Sequence, residues 1–333
     1  AYPALVQCRF AVRLQFRLRL AQSLAEHIDA PVVVGILQSP GCIFLDSDIA
    51  RHIAQPVIIL PAETACRTYL RMNLVGIGND CLPELFSIED GSFARPFSPL
   101  KWGGDFTEGN SLHYTWSVFH DPQGLIDLMG GDQPFSEMMD SVFNIPPHFD
   151  DSYYGFPIHE IREMQVMNMG NYAHGNQPIQ HFIYLYDWCG QPWKAQARIR
   201  EVMDKFYTAA PDGYCGDEDN GQTSAWYVFS AMGFYPVCPA SGEFAVGTPL
   251  FKHVKVNMPS GKSFIVNAPE NSNDNFYIGS MKVNGREQTR TWLTYKELSD
   301  GATIRFDMCN APVTSRGTAT SDRPYSLSSE NEN

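Results

Sequence analysis

The sequence lacks long apolar runs and a surplus of positive charge. Its longest apolar stretches, residues 32–37 and 57–60, fall far short of the roughly 18 residues that a membrane-spanning helix needs. Acidic residues outnumber basic residues by 37 to 24, for a formal net charge of −13. Such a charge repels polyphosphate backbones and anionic lipid surfaces. We therefore expect no membrane insertion and no nucleic-acid partner.

The sequence also shows no closely spaced cysteine pair, and we expect no targeting segment in it. The eight cysteines are scattered without a CxxC spacing, which excludes a zinc ribbon or thioredoxin-like motif built from neighbouring positions. A secretory signal needs an uninterrupted apolar core of about 7 to 15 residues, whereas four arginines interrupt the first twenty positions. The first methionine is Met72, so we expect a processed, trimmed or fragmentary chain.

Lysine and tryptophan are absent from the first hundred residues, although the chain has 333 residues. All eight lysines and all six tryptophans lie at or beyond Lys101. Charged residues make up 18%, hydrophobic residues 44% and aromatic residues 13% of the chain, a composition that can bury a substantial core. We expect one large domain or two ordinary ones, with residues 1–77 as an N-terminal segment of no assigned function.

Residues 111–232 show helical periodicity. Apolar residues recur there at the i, i+3, i+4, i+7 spacing that places one stripe toward a core. The three clearest stripes are Ile179, Phe182, Ile183 and Tyr186; Ile199, Val202, Met203 and Phe206; and Ala225, Val228, Phe229 and Met232. Successive helices joined by loops rich in Gly, Asp, Asn and Pro are typical of an α/α toroid or bundle, whose loops carry the chemistry.

The apolar pattern changes to period two after Pro236. Five segments alternate apolar and polar residues between turn-like stretches: FKHVKVNM, KSFIVNAP, NFYIGSMKVNG, TWLTYKEL and ATIRFDMC. This alternation predicts an antiparallel β meander over residues 236–313. Residues 314–333 are rich in Ser, Thr, Asp, Glu and Asn, so we predict a disordered tail.

The segment WGGDFTEGNSLHYTW places Asp105 and Glu108 among glycines and aromatic residues. Desolvation by such neighbours raises the pKa of a carboxylic acid, so that it can donate a proton near neutral pH. Glu108 is the candidate acid, and Asp105 is a candidate for substrate binding. The aromatic residues that would form a sugar platform are Trp102, Phe106, Tyr114 and Trp116. Alternatively, Glu108 and Asn110 cap the following helix and the aromatic residues belong to the core.

The segment GYCGDEDNGQTSAW carries three consecutive acids between two glycines, just before a predicted helix. In an extended or turn conformation, Asp217 and Asp219 face the same side and can hold one water as a general base. Two alternatives are a solvated capping loop and an EF-hand calcium loop. The EF-hand is excluded because Val228 occupies the position of its bidentate glutamate.

The segment IHEIREMQVMNMGNYAHGNQPIQH lacks the second histidine of HExxH, so a zincin site is not supported. His159 and Glu163 are spaced as a pair on a helix surface. His174 and His181 fit hydrogen-bonded core histidines. The turn at residues 176–178 offers carbonyl oxygens suited either to a hard cation such as calcium or to sugar hydroxyls.

Three longer segments, GGDFTEGNSLHYTWSVFHDPQGLIDLMGG, the IHE segment above and GDEDNGQTSAWYVFSAMGFYPVCP, together resemble glycoside hydrolase family 92. The likeness extends over residues 78–326. The resemblance implies a calcium-dependent exo-α-mannosidase that inverts the anomeric centre and is secreted, periplasmic or on the cell surface in bacteria. It also implies a catalytic (α/α)6 barrel preceded by a β-sandwich.

The resemblance also carries residue roles. Glu108 in TEGN matches the general acid, and Asp217 and Asp219 in GDEDNG match the acids that activate the nucleophilic water. His159 and Glu160 match residues that contact the sugar on the leaving side in α-1,2-specific members.

The metal assignment rests on the resemblance as well. Asn176 and Gln177 in GNQP match a signature beside the calcium and mannose site, and we take them as the candidate metal ligands.

The predicted fold class is mainly α: an incomplete (α/α)6-barrel-type catalytic region over residues 78–235, followed by an antiparallel β-rich segment. Residues 1–66 do not resemble the early barrel helices, and the length leaves no room for the β-sandwich, so we expect a C-terminal portion. The predicted function is calcium-dependent, inverting removal of terminal α-1,2-linked mannose from glycans. The alternative is a catalytically weak remnant that only binds carbohydrate or serves a structural role.

Overall fold

The computed structural model describes residues 35–36, 43–44 and 97–332. The chain divides into two units, residues 1–75 and 76–333. In the first unit, β1 (Gly35–Ile36) and β2 (Ile43–Phe44) pair antiparallel. The remaining predictions for residues 1–77 lie outside the described residues.

Six α-helices of the second unit precede its sheets. The α-helices are α1 (Ser111–Tyr114), α2 (Pro122–Leu128), α3 (Asp132–Asn144), α4 (His159–Met167), α5 (Pro192–Phe206) and α6 (Gln222–Met232). Short 3-10 helices span Gln177–Ile179 and Phe182–Asp187. The predicted order of a helical region followed by a β-rich region is therefore confirmed. Among the described residues, no helix is both long and apolar enough to cross a bilayer.

The second predicted stripe forms α5, as expected. Pro192 begins the helix, where its missing N–H leaves no intrahelical bond unmade. Ile199, Val202 and Phe206 are buried along one face. The first stripe instead forms the two 3-10 helices. Every side chain of Phe182–Asp187 is buried, so this segment is enclosed on all sides and its winding is set by packing, not by an amphipathic face.

The third predicted stripe forms α6, but the buried surface of the helix extends beyond that stripe and omits Val228. Val228 is 54% exposed, whereas Thr223, Trp226 and Ser230 are buried. The buried polar groups have partners: the Trp226 indole donates to the Gln180 carbonyl (2.9 Å) and the Ser230 hydroxyl meets that of Tyr184 (2.8 Å). Hydropathy alone locates only part of the buried surface, Phe229 and Met232, which pack against the core, because the buried polar groups are satisfied inside the protein.

Two sheets follow the helices. The three-stranded sheet has the order β3–β4–β9, and the five-stranded sheet has the order β5–β6–β10–β7–β8. The strands are β3 (Phe234–Tyr235), β4 (Glu243–Val246), β5 (His253–Asn257), β6 (Ser263–Asn267), β7 (Tyr277–Val283), β8 (Arg286–Gln288), β9 (Trp292–Thr294) and β10 (Thr303–Cys309). Each of the five period-two segments contains a strand, as predicted.

The predicted all-antiparallel meander is wrong at one pair. β10 runs parallel to β6, with Thr303 opposite Ile265, and antiparallel to β7. The chain leaves the five-stranded sheet after β8, adds β9 to the other sheet, and continues into α7 (Tyr295–Asp300). It then returns between β6 and β7, and this excursion allows the parallel direction.

The inner face of the five-stranded sheet forms a hydrophobic core. Val266, Ile304 and Phe306 are fully buried within it, and Phe229 and Met232 of α6 pack against the same cluster. The helix that follows the acidic loop therefore rests directly on the sheet.

Residues 314–329 differ from the predicted disordered tail. The Asp121 carboxylate accepts hydrogen bonds from the Ser326 hydroxyl (2.6 Å) and from the Ser328 amide (2.9 Å) and hydroxyl (2.7 Å). Arg323 forms a two-pronged contact with Asp132 at the start of α3. The tail has little apolar surface to bury, but its polar groups find partners on the helices, which orders it.

Candidate active site

The three segments singled out in the sequence meet in the structure. The Asn176 side-chain amide donates to the Glu108 carbonyl (2.5 Å), and the Gln177 amide donates to the Asp219 carbonyl (3.4 Å). The backbones of Gly175 and Gly216 pack so tightly that a Cβ at Gly216 would lie 2.6 Å from the Gly175 carbonyl oxygen. The segment at 158–181 thus holds the other two together.

Glu108 lies on an exposed turn in the left-handed region, with φ of +50°. Its backbone N–H donates to the Tyr154 hydroxyl (3.2 Å), and the Tyr114 hydroxyl donates to the Thr107 carbonyl (2.6 Å). A non-glycine residue at positive φ carries a backbone cost that the surrounding contacts must offset. These contacts fix the turn and leave the carboxylate facing solvent.

Two of the four aromatic residues predicted to form a platform near Glu108 lie in the core instead. Trp102 and Trp116 are 0% and 1% exposed, and Trp102 packs edge-on against His113 with ring centroids 4.8 Å apart. The alternative assignment of these two rings to the core is the one the structure supports. Asp105 is exposed on the same turn as Glu108.

The three consecutive acids have different environments. Glu218 caps α6: its carboxylate accepts from the Gly221 amide (2.6 Å) and the Ser224 amide (3.4 Å). Capping, which the sequence left open for the whole loop, is therefore done by Glu218. The neighbouring Asp217 is exposed, and Asp219 is half-buried at φ of +56°. Both flanking carboxylates remain available for chemistry.

Negative charge accumulates between these turns. The pKa of Asp219 is raised, first by burial and then by the charges of Asp217 and Glu108. The pKa of Glu160 is raised by burial and by the charges of Glu108 and Glu163. A raised carboxyl pKa gives the carboxylate a higher proton affinity, which suits a general base near neutral pH.

His159 at the start of α4 lies between two carboxylates. Its Nε2 is 3.1 Å from Glu160 and its Nδ1 is 2.9 Å from Glu163, as expected for a helix-surface pair. The hydrogen bond to Glu163 raises the pKa of His159. The imidazole is exposed while Glu160 is buried, so the His159 ring lies between solvent and a buried acid.

Glu163 is a site residue that sequence reasoning did not single out beyond its pairing with His159. One of its oxygens is buried, with no hydrogen-bond partner among the described residues, and a Cβ at either Gly175 or Gly216 would lie 2.8 Å from that oxygen. Burial, followed by the charges of Asp217 and Asp219, raises its pKa. The glycine spacing in the two loops is the only sequence signal that could have pointed to this close approach.

His174 and His181 are hydrogen-bonded core histidines, as predicted. His181 contacts the Trp116 carbonyl through Nε2 (2.7 Å), and His174 lies between the hydroxyls of Tyr172 and Tyr207. Burial lowers the pKa of His181 to about 4 and that of His174 to about 3. Both imidazoles are therefore neutral near pH 7.

Asn176 and Gln177, the candidate metal ligands, use their amide nitrogens to hold the two loops. The Asn176 side-chain oxygen also accepts from the Gln177 backbone amide (3.0 Å), which leaves its second lone pair free. In the described part of the chain, no three His, Cys, Asp or Glu side chains converge as a metal site. The donors that fit a hard cation are the amide and backbone oxygens of this turn, which contacts the turns of Glu108 and Asp219.

The chain was compared with protein families and known structures. The model for the glycosyl hydrolase family 92 catalytic domain matches residues 87–310, about two thirds of the chain. A curated protein of Arthroderma benhamiae, described as an uncharacterized secreted glycosidase, is 25% identical over 213 residues, which cover 63% of this chain and 24% of that protein.

Solved structures agree with this match. A family 92 inverting mannosidase of Bacteroides thetaiotaomicron is 54% identical, with a TM-score of 0.64, over 74% of this chain and 34% of its own length. A family 92 α-mannosidase of the same species, in complex with mannoimidazole, is 33% identical, with a TM-score of 0.67, over 75% of this chain and 33% of its own. The chain thus spans about a third of the length of these structures.

Proposed function

We propose that this chain, which belongs to glycosyl hydrolase family 92, carries the acid and base residues of an exo-acting, inverting α-mannosidase. The observation that supports the proposal is the meeting of three acidic segments through the Asn176 and Gln177 contacts. Inverting glycosidases need two carboxyl groups on opposite sides of the scissile bond. The two Bacteroides mannosidases favour a mannoside as the substrate.

Glu108 is the proposed general acid. It protonates the glycosidic oxygen as the bond to the anomeric carbon breaks, so that the leaving sugar departs as a neutral alcohol. Its exposed turn gives the carboxyl access to a substrate oxygen, and the Tyr154 and Asn176 contacts on its backbone fix its direction.

Asp217 and Asp219 are the proposed base. They take a proton from a water that attacks the opposite face of the ring. The raised pKa of Asp219 favours this transfer. Inversion requires roughly 6.5 to 9.5 Å between the acid and base carboxyl groups, which leaves room for that water.

His159 and Glu160 are the proposed contacts to the sugar on the leaving side, and they carry the proposed preference for an α-1,2 linkage. The exposed His159 ring contacts the sugar, and Glu160 accepts from a hydroxyl. The charge of Glu108 contributes to the raised pKa of Glu160. This proximity supports a subsite beside the proposed acid.

Calcium dependence is a further part of the proposal. Asn176 and Gln177 would hold the ion with backbone oxygens, and the neighbouring carboxylates favour a divalent cation. When bound, calcium would supply a Lewis acid for two sugar hydroxyls and help distort the ring. We also propose that the helices form part of an (α/α)6 barrel and that the enzyme acts on glycans outside the cytoplasm, in line with the secreted relative.

Hydrolysis of α-1,2-mannobiose by the full chain tests the proposal. We expect mannose release that is abolished by chelation and restored by added calcium, with α-1,3-mannobiose cleaved more slowly. Proton NMR of the first product should show β-mannose before mutarotation, and α-mannose would refute inversion. Calorimetric binding of mannobiose without hydrolysis would instead identify a carbohydrate-binding remnant, and full activity after exhaustive chelation would exclude the metal requirement.

A further inference from the structure

We propose that a buried hydrogen-bond chain, Tyr172–His174–Tyr207–Thr223, positions the Asp217 loop, and that Thr223 and Tyr207 are positioning residues for the proposed base. The Tyr172 hydroxyl lies 2.6 Å from His174 Nδ1, and His174 Nε2 lies 2.7 Å from the Tyr207 hydroxyl. Tyr172, His174 and Thr223 are each at most 1% exposed. This inference rests on the proposed function.

The donors and acceptors along these hydrogen bonds can be assigned. The Tyr207 hydroxyl donates to the Thr223 carbonyl (3.4 Å), so it accepts the proton on His174 Nε2. A neutral imidazole has one N–H and one acceptor nitrogen, so Nδ1 accepts from Tyr172. At the far end, the Thr223 hydroxyl donates to the Asp217 carbonyl (2.9 Å). Each donor therefore points toward the loop that carries the acids.

A second line of contacts also ends at Thr223. The Gln180 amide donates to the His174 carbonyl (3.1 Å) and to the Thr223 hydroxyl (3.3 Å), and the Gln180 carbonyl accepts from the Trp226 indole (2.9 Å). Stacking of Tyr207 on Trp226, with an interplanar angle of 6°, fixes the phenol. Thr223 is thus the point where a rigid, buried assembly holds the Asp217 backbone.

The loop needs such a hold because its own backbone is irregular. Asp219, Asn220 and Gly221 all have positive φ, and Asp217 projects into solvent. A general base must be placed within a fraction of an ångström of its water, and a displacement of about 1 Å can cost about 10²-fold in rate. Loss of the Thr223 hydroxyl would let the Asp217 carbonyl drift while the helix stays folded.

The alternative is that these residues only stabilise the core, and a matched control separates the two. The Tyr184 phenol is fully buried and bonds Ser230, two turns along α6 from Thr223 and away from the acidic loop. Tyr184→Phe thus deletes an equivalent buried hydroxyl contact on the same helix. Thr223→Ser keeps the hydroxyl that Thr223→Val removes, with little change in volume.

The experiment measures kcat and KM on an aryl α-mannoside, together with amide hydrogen exchange of residues 217–224. We expect Thr223→Val to lower kcat about 10- to 100-fold with KM changed less than about threefold, and Tyr207→Phe to act in the same direction more weakly. Thr223→Ser should retain activity. Exchange of the loop amides should be faster in Thr223→Val and Tyr207→Phe and unchanged in Tyr184→Phe.

Two results would overturn the inference: equal kcat losses in Thr223→Val and Tyr184→Phe, or unchanged loop exchange in Thr223→Val. A wild-type chain with no activity on any mannoside would refute the proposed function instead. In that case the exchange measurement still decides whether the buried chain positions the loop.

Discussion

The five-stranded sheet is held together by backbone hydrogen bonds, since β10 pairs with β6 on one side and with β7 on the other. The inward side chains of the sheet form the core. The loops around Glu108 and Asp217 have no such ladder. They are held by side chains that bond to backbone carbonyls, namely Asn176, Gln177 and Thr223. A single side-chain change should therefore alter the loops without unfolding the protein, whereas the sheet should respond only to loss of buried volume.

The largest effect is expected at the loop that carries the acid. Glu108→Gln should lower the rate on mannobiose about 10²- to 10⁴-fold, and the loss on aryl mannosides with good leaving groups should be smaller because they need less protonation. The melting temperature should stay unchanged, since Glu108 is exposed. Glu137→Gln, an exposed change on α3, is the control. Equal losses on both substrates would contradict the role of general acid and indicate that Glu108 only positions the substrate.

The sheet should show the reverse behaviour. Phe306→Ala empties a fully buried position in β10 and should cost about 3 to 5 kcal/mol of unfolding free energy. Activity per folded molecule should stay near that of the wild type. Urea denaturation measures the stability, and kcat corrected for the folded fraction from circular dichroism measures the activity per folded molecule. Phe306→Leu should cost less, because it keeps more of the volume. A drop in kcat with unchanged stability in Phe306→Ala would contradict the expected difference between the sheet and the loops.

Acid should destabilise the helical region through its buried histidines. Burial lowers the pKa of His113 and of His181 to about 4, below the ordinary value of 6.5. Between pH 6.5 and 4 the unfolded state binds more protons, so stability is full above 6.5 and falls on acidification by about 1.4 kcal/mol per pH unit for each histidine. Urea unfolding at pH 7, 6 and 5 checks this. His181→Gln should flatten the slope, and a stability independent of pH over this range would contradict it.

The smallest effect is expected at the cap of α7, beside the sheets. The Thr294 hydroxyl accepts from the Glu297 amide (3.1 Å), and Glu297 accepts from the Thr294 amide (2.9 Å). Thr294→Ala should cost about 1 kcal/mol of unfolding free energy, with kcat unchanged. Thr294→Ser retains the cap and should behave as the wild type. A larger loss than Phe306→Ala would show that the sheet depends on this cap more than on its core.

The same contrast explains what the sequence could predict. The period-two segments locate their strands because alternation is a local property of a chain with one buried face. The parallel pairing of β10 with β6 depends on where the chain returns after α7, which no local pattern encodes. β3 and β8 span two and three residues, too short to show a period.

At the site, the motifs contain the acids but not what holds them. Which of the three acids caps α6 and which stay available as a base depends on which carboxylate accepts from the amides at the start of the helix, and that carboxylate is Glu218. Glu163 and Thr223 contribute through contacts between distant segments, and neither carries a spacing that sets it apart from an ordinary helix residue. Trp102 and Trp116 fitted a platform as well as a core because hydropathy does not distinguish a buried ring from a stacking surface.

The bonds from Ser326 and Ser328 to Asp121 join positions 205 and 207 residues apart. A ribosome adds about 5 to 20 residues per second. Ser326 and Ser328 are therefore synthesised roughly 10 to 40 s after Asp121, the residue at the start of α2. During synthesis that end of the helix is solvated and open to proteases and chaperones. The tail contacts of α2 and α3 thus form only after the sheets have been synthesised, so a chain truncated within β10 lacks the partners of Asp121 and Asp132.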